Sequence, residues 1–378
     1  MPEDGRTKPV GEVDREHIAN VPYGSNEIRL SAKQWLVVIL LISACFVAVP
    51  RWWKKVEPFE PASDYRIPYV LSDDYWHYQR WMDEITAQDR IPMIGDSVIW
   101  GEYVPPDQTL AQAINQRLGV KRLANAGLNG THPLALEGLV NLYCGGVRDG
   151  RVILHCNLLW MSSPEHDLQS GKDVSFNHPR LVPQLSRPIP SYKATADDRI
   201  GTIVDHRFGL RGWVHHLRIA HFENLDLPNW SLEHPYTDPI SQVSLSLPAP
   251  DLTARHEDVA WFERGIEQQD FGWVEAPSSL QLEAFQRTVK SLRARGNSVF
   301  VIVGPFNEHL LVAGSQNRYS QLREYVGRWL ADQRVPHLLP NVLPRKEFGD
   351  ASHPLAAGYR RLAEQIVDDP NFRDWLSE

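Results

Sequence analysis

Short apolar segments alternate with amphipathic segments over much of the chain, and this alternation restricts the possible folds more than any other feature. Strands that alternate with helices build a parallel sheet covered on both faces. Right-handed crossovers then give a doubly wound topology. The sequence therefore predicts an α/β fold, a three-layer α/β/α sandwich. The strands are predicted at Ile91–Ile94, Arg122–Asn125, Arg151–Asn157, Ser298–Val303 and Val335–Leu339.

The helices that would cover this sheet are amphipathic and lie between the strands. An aromatic-rich helix within 73–88 precedes the first strand, and the last helix closes the fold. The other helices are predicted at Thr109–Leu118, Pro133–Tyr143, Leu280–Arg295, Tyr319–Gln333 and Pro354–Val367.

An apolar run at Trp35–Val49 decides the compartment, because only Ser43 and Cys45 in it are mildly polar. Fifteen helical residues span about 23 Å, and extension to Trp53 brings the helix close to the ~30 Å hydrocarbon core. Tryptophans at both ends suit the two membrane interfaces. The segment 35–53 is thus predicted to be a transmembrane anchor in contact with the bilayer, preceded by a disordered polar tail, 1–34.

Two other interpretations of the apolar run stay open, a buried core helix and a cleaved signal with a lipidated Cys45. The orientation of the anchor is also open. Arg51, Lys54 and Lys55 follow the run, so the positive charges slightly favour a cytoplasmic C-terminal side. The function inferred below favours a single-pass membrane protein whose catalytic domain is extracytoplasmic.

Composition excludes several classes of protein. The chain has 378 residues, is 42% hydrophobic and carries a formal charge of −8, so no nucleic-acid partner is expected. Three cysteines are too few for a disulfide scaffold or a four-cysteine zinc module. Cys144 and Cys156 are either an internal bridge or two buried thiols.

Between the third and fourth strands lies an insertion, 159–279, which is too long for a structureless loop. It is predicted to be a lid or substrate subdomain, with helices at Arg211–Asn224 and Thr253–Gln268. Its His215, His216 and His221 lack metal-binding spacing, so surface and cap positions are expected and no metal or cofactor is predicted.

Reactive side chains follow the predicted strands, at the sheet edge where open parallel sheets bind ligands. Ser97 lies in a strand-to-helix turn, Gly130 in a glycine-containing loop, and Asn157 at the end of the third strand. Asp350 and His353 lie in a loop near the C-terminus. Ester hydrolysis needs a nucleophile, a base, a group that orients the base, and oxyanion donors. Ser97, His353 and Asp350 are the predicted catalytic residues, and the Ser97 N–H, the Gly130 N–H and the Asn157 amide the predicted oxyanion hole.

Gly95-Asp96-Ser97 near the domain start and Asp350-x-x-His353-Pro354 near its end together resemble the SGNH hydrolase superfamily, the GDSL-like esterases. Gly130 matches the oxyanion glycine of that family. The resemblance covers 90–158 and 280–370. It departs at the third block, where the family usually has Gly-x-Asn-Asp and this chain has His155-Cys156-Asn157-Leu158.

Four residues near these blocks receive less specific expectations. Asp96 is expected to stabilise its turn rather than act as an acid, and His155 to be a satisfied core histidine. Asn307 and Glu308 follow the fourth strand and could line the pocket.

The resemblance implies a membrane-anchored serine esterase that cleaves an acyl, most simply an acetyl, ester on a carbohydrate or another ester substrate through an acyl-serine. Two alternatives stay open. One is an O-acyltransferase component that modifies a cell-envelope polysaccharide with a multi-spanning O-acyltransferase partner. The other is an inactive binding module of the same fold.

The predicted domain organisation follows from these assignments. A linker and helix, 54–89, join the anchor to the catalytic domain, 90–158 and 280–370, which the insertion 159–279 interrupts.

Overall fold

The computed structural model describes residues 30–248 and 258–377. The chain divides into two units, Met1–Val49 and Pro50–Glu378. Most of the predicted tail, namely 1–29, lies outside the described residues.

Helix α1, Ala32–Val56, has the length and composition of a membrane span. Its 25 residues correspond to about 37 Å at 1.5 Å per residue, which exceeds the hydrocarbon thickness. None of its most apolar window is buried within the structure, unlike a core helix. The helix extends three residues beyond the predicted 35–53 at each end, and Pro50 lies inside it.

The second unit is an α/β fold around a five-stranded parallel sheet with strand order β2-β1-β3-β4-β5. The five predicted strands are all present, with ends shifted by a few residues. Their bounds are β1 Ile91–Gly95, β2 Leu123–Gly127, β3 Arg151–Cys156, β4 Ser298–Val303 and β5 His337–Leu338.

Helices join and flank these strands as the alternation indicated. In the described residues they are α2 Tyr75–Ala87, α3 Ser97–Trp100, α4 Leu110–Leu118, α5 Pro133–Tyr143, α6 Ala196–Arg207, α7 Gly209–His221, α8 Leu227–Glu233, α9 Pro239–Gln242, α10 Leu280–Ala294, α11 Ala313–Asp332, α12 Ala356–Asp368 and α13 Pro370–Ser377.

Strand side chains alternate between two hydrophobic clusters, as the pleat requires. On β4, Val299, Val301 and Val303 join a cluster with side chains of α2, α5, α10 and α11. Phe300 and Ile302 join a cluster with side chains of α4, α12 and α13. Both faces of the sheet are therefore covered by apolar side chains.

Helix α2, which sequence assigned to the linker region, packs directly on the sheet. Trp81 Nε1 donates to Asn125 O at 2.8 Å, and Tyr78 OH donates to Ala126 O at 2.9 Å. Helix α2 therefore belongs to the hydrophobic core that packs on β2.

The insertion is largely structured where it is described. Helix α7 matches the predicted Arg211–Asn224, but the described part of the predicted helix Thr253–Gln268 is a turn. There the Ala260 carbonyl accepts from Glu263 N and Arg264 N, and Gly265 has φ +74°, which no α-helix contains.

Candidate active site

Ser97 is the first residue of α3 and directly follows β1 at the carboxyl edge of the sheet. Asp96 caps this helix, because its carboxylate accepts from Val98 N at 3.0 Å. Only glycine fits at position 95, since a Cβ there would lie 2.4 Å from Ile99 Cγ1 and 2.7 Å from His155 Cβ. The tight strand-to-helix turn thus fixes the position of the Ser97 hydroxyl.

His353 reaches that hydroxyl from the other end of the domain. Its Nε2 lies 2.7 Å from Ser97 Oγ, although 256 residues separate the two in sequence. Its Nδ1 lies 2.7 Å from Asp350 Oδ2 and 2.9 Å from Oδ1. A hydroxyl, an imidazole and a carboxylate in this order have the geometry of a nucleophile, its base and the group that orients the base.

The loop that carries His353 is folded around the Asp350 carboxylate. Oδ1 accepts from the backbone N–H groups of Ser352 at 2.9 Å and of His353 at 3.0 Å. These donors explain why the aspartate precedes the histidine by three residues: one carboxylate shapes the turn and also holds the imidazole.

Two residues outside the predicted catalytic set hold this loop in place. Asn307 donates through its N–H to Ala351 O at 2.9 Å and through Nδ2 to Asp350 O at 3.0 Å. Tyr103 OH donates to Asp350 Oδ2 at 3.0 Å, and its ring packs edge-on against His353. Asn307 is buried and thus supports the loop that carries Asp350 and His353. Tyr103 stands in a polar turn without a motif, so no sequence signal indicated its role.

The opposite charges of His353 and Asp350 shift the pKa of each group. Burial alone would lower the pKa of His353, but the Asp350 carboxylate outweighs it and raises that pKa to about 9. Burial alone would raise the pKa of Asp350, but the imidazole and the two backbone N–H groups hold it well below its usual range. The carboxylate is therefore ionised throughout the neutral range and stabilises the imidazolium.

The predicted oxyanion donors follow neighbouring strands at the same edge. Gly95 and Gly127 are register partners at the ends of β1 and β2, so the loops carrying Ser97 and Gly130 start side by side. Within the described part of the chain, neither the Ser97 N–H nor the Gly130 N–H donates to another protein atom. Gly130 has φ +72°, and a Cβ there would lie 2.3 Å from Asn177 Nδ2, so position 130 requires glycine.

Asn157, the third predicted donor, is held by Asp96. Its Nδ2 donates to Asp96 Oδ2 at 2.7 Å, and its Oδ1 accepts from Leu159 N at 3.0 Å. This contact uses one of the two amide hydrogens and leaves the second for another acceptor.

Asp96 does more than stabilise its turn. Besides Asn157, its carboxylate accepts from Trp160 Nε1 at 3.0 Å and lies 3.1 Å from His155 Nδ1. Burial alone would raise the pKa of Asp96, but His155, Asn157 and Trp160 lower it to about 2. His155 Nε2 lies 3.0 Å from Gly304 O, so both ring nitrogens are satisfied, as expected for a buried histidine.

The insertion contributes side chains next to this site. Asn177 lies against Gly130, and the Arg264 guanidinium lies 4.5 Å from the centroid of the Tyr103 ring. Glu308, at the other expected pocket position, is half-buried, and burial raises its pKa. The insertion therefore borders both the loop that carries Gly130 and Tyr103, whose hydroxyl donates to Asp350.

His216 and His221 do not occupy the surface and cap positions expected from sequence, whereas His215 is half-buried. His216 is fully buried and His221 is 6% exposed, because α7 packs these side chains inward rather than toward solvent. Cys144 and Cys156 are separate buried thiols, and burial raises the pKa of Cys144 to about 12.

No model of a known protein family matches the chain, and no curated protein matches it either.

Proposed function

We propose that this chain is a membrane-anchored serine esterase of the SGNH type, with a three-layer α/β/α catalytic domain formed by 90–158 and 280–370. One observation carries the proposal: Ser97 Oγ, His353 Nε2 and the Asp350 carboxylate form a continuous relay with contacts of 2.7 Å. Such a relay activates a serine hydroxyl toward an acyl carbonyl.

In the proposed reaction, His353 takes the proton of Ser97 while Oγ attacks the carbonyl carbon of the ester. The oxyanion formed accepts from the N–H groups of Ser97 and Gly130 and from the Asn157 amide. The tetrahedral intermediate collapses, His353 protonates the departing alkoxide, and an acyl-serine forms. Water, deprotonated by His353, then attacks the acyl carbon; the C–Oγ bond breaks, His353 returns the proton to Ser97 Oγ, and the acid leaves.

A cleft beside the loop that carries Gly130 favours a carbohydrate ester as the substrate. It has a volume of 610 Å³ and is lined by the aromatic rings of Tyr69 and Phe176 and by the polar groups of Asp73, Asn129 and Glu223. Rings that offer flat apolar faces, beside amide and carboxylate acceptors, suit sugar faces and hydroxyls. Among the described lining residues there is no Lys or Arg, which favours a neutral sugar over an anionic one.

Transfer to a hydroxyl acceptor is a second candidate, because a sugar hydroxyl can resolve an acyl-serine in place of water. The proposed partner in that case is a multi-spanning O-acyltransferase that supplies the acyl group. The anchor 35–53 would keep the domain, proposed to be extracytoplasmic, next to such a partner.

The purified full-length protein in detergent, given an acetylated neutral oligosaccharide and a second, unacetylated one, separates these candidates. We expect free acetate to form at the rate at which ester is lost. Acetate that reappears on the second sugar would establish transfer. If neither product forms and Ser97 takes up no fluorophosphonate, the chain is an inactive module.

The pKa of His353 gives a further prediction. Because the base must be neutral and its pKa is about 9, kcat/KM should rise about tenfold per pH unit below pH 9 and then level off. The rate rises rather than falls with pH because the raised pKa keeps His353 protonated at pH 7 in the free protein. Initial rates on a small acetyl ester between pH 6 and pH 10, corrected for spontaneous hydrolysis, check this. A rate independent of pH over that range would contradict the assigned base.

A further inference from the structure

A second cluster of ionisable side chains lies away from Ser97, where the C-terminal end of α1 meets the insertion. Glu57 directly follows α1, and His216 and His221 lie on α7. One ligand atom of each of these three residues lies within 4.8 Å of the others. The side chains of Glu57 and His216 are fully buried, with Glu57 Oε1 3.0 Å from His216 Nε2.

The partners of His216 orient its ring as those of a metal-bound histidine do. Its Nδ1 lies 2.6 Å from Asp74 Oδ2, so Nε2 points to the side of Glu57 and His221. A carboxylate behind the distal nitrogen fixes the tautomer and ring orientation of metal-ligating histidines. Asp74 is held in turn, because it caps α2 by accepting from His77 N at 2.9 Å.

His221 supplies an independent indication of an occupant. It is 6% exposed, and its Nε2 is buried without a hydrogen-bond partner among the described residues. An unpartnered buried nitrogen carries a desolvation cost that a ligand would remove. No other described residue of the cluster offers this nitrogen a hydrogen bond.

The net charge of the cluster also favours a bound cation. Two buried carboxylates, Glu57 and Asp74, face one guanidinium, that of Arg80, which pairs with Glu57. With neutral imidazoles the cluster carries one uncompensated negative charge, and a buried net charge is costly. A proton on His216 brings this charge to zero, and a bound divalent ion more than compensates it.

We propose that Glu57, His216 and His221 bind a divalent zinc ion, with Asp74 orienting His216. Two imidazoles and one carboxylate are a known zinc ligand set that leaves a fourth position for water. Zinc bound there would join the end of the anchor helix to the insertion, so its effect would be structural. The proposal is independent of the esterase activity.

The test uses the full-length protein in detergent, treated with a chelator and then titrated with Zn²⁺ by calorimetry. We expect binding of one Zn²⁺ per chain and a rise in the thermal midpoint. His221→Ala and His221→Gln should each weaken Zn²⁺ binding by about 100-fold or more and abolish the rise in the midpoint.

His234→Ala is the matched control, because His234 also belongs to the insertion but stacks on Trp230. It should bind Zn²⁺ like the unmodified chain. No Zn²⁺ binding by the unmodified chain would overturn the proposal and leave a proton as the compensating charge. Equal binding by the His221 variants and the control would also overturn it. Circular dichroism of both His221 variants, one of which retains a polar end, separates loss of a ligand from loss of folding.

Discussion

Ser97→Ala should lower kcat for acetyl-ester hydrolysis by about 10⁵-fold and abolish labelling by a fluorophosphonate. The reason is chemical: the variant lacks the oxygen that lies 2.7 Å from His353 Nε2, while the backbone of the surrounding turn should be unchanged. The measurement is mass spectrometry of the labelled full-length protein together with initial rates. A membrane-impermeant probe applied to intact and permeabilised cells would report, in the same experiment, on which side the domain lies.

A second serine–histidine contact provides the control for this prediction. Ser162 Oγ lies 2.8 Å from His166 Nδ1, but Ser162 is fully buried and beyond the reach of a probe. Ser162→Ala should therefore retain both labelling and turnover. Undiminished turnover by Ser97→Ala would refute the serine mechanism.

Asp350→Asn should lower kcat by about 10⁴-fold while the protein stays folded. The amide keeps an acceptor for the backbone N–H groups of Ser352 and His353, but it cannot stabilise the imidazolium. It also removes the negative charge that raises the pKa of His353, so the residual activity should level off at a lower pH than in the unmodified protein. The pH profile distinguishes this lowered pKa of His353 from a general loss of structure, which would reduce activity without moving the pH at which it levels off.

Asp368→Asn is the matched control, because Asp368 is exposed and pairs with Arg117 and Arg373 on the surface. Such pairs contribute little to stability or activity. An unchanged pH profile in Asp350→Asn would show that Asp350 does not orient His353.

Local patterns in the sequence were sufficient for the secondary structure that positions the site. All five strands were predicted, because a buried parallel strand is a nearly continuous apolar run bounded by turn residues. The helix Thr253–Gln268 was predicted wrongly over its described part, because spacing alone does not show that Gly265 adopts a left-handed conformation. His216 and His221 were misplaced for a similar reason: spacing along a helix does not say which face is buried.

Sequence alone determined which residue types follow each strand, because the period of apolar side chains and the turn chemistry are local properties. It therefore identified Ser97, Asp350 and His353 as candidates. Only the tertiary structure decided that strand pairing brings an imidazole to a hydroxyl across 256 residues. The contacts of Tyr103 and Asn307 with the Asp350 loop, and those of Asp96 with His155, Asn157 and Trp160, became visible only there, because contacts between distant segments leave no periodic trace in the chain.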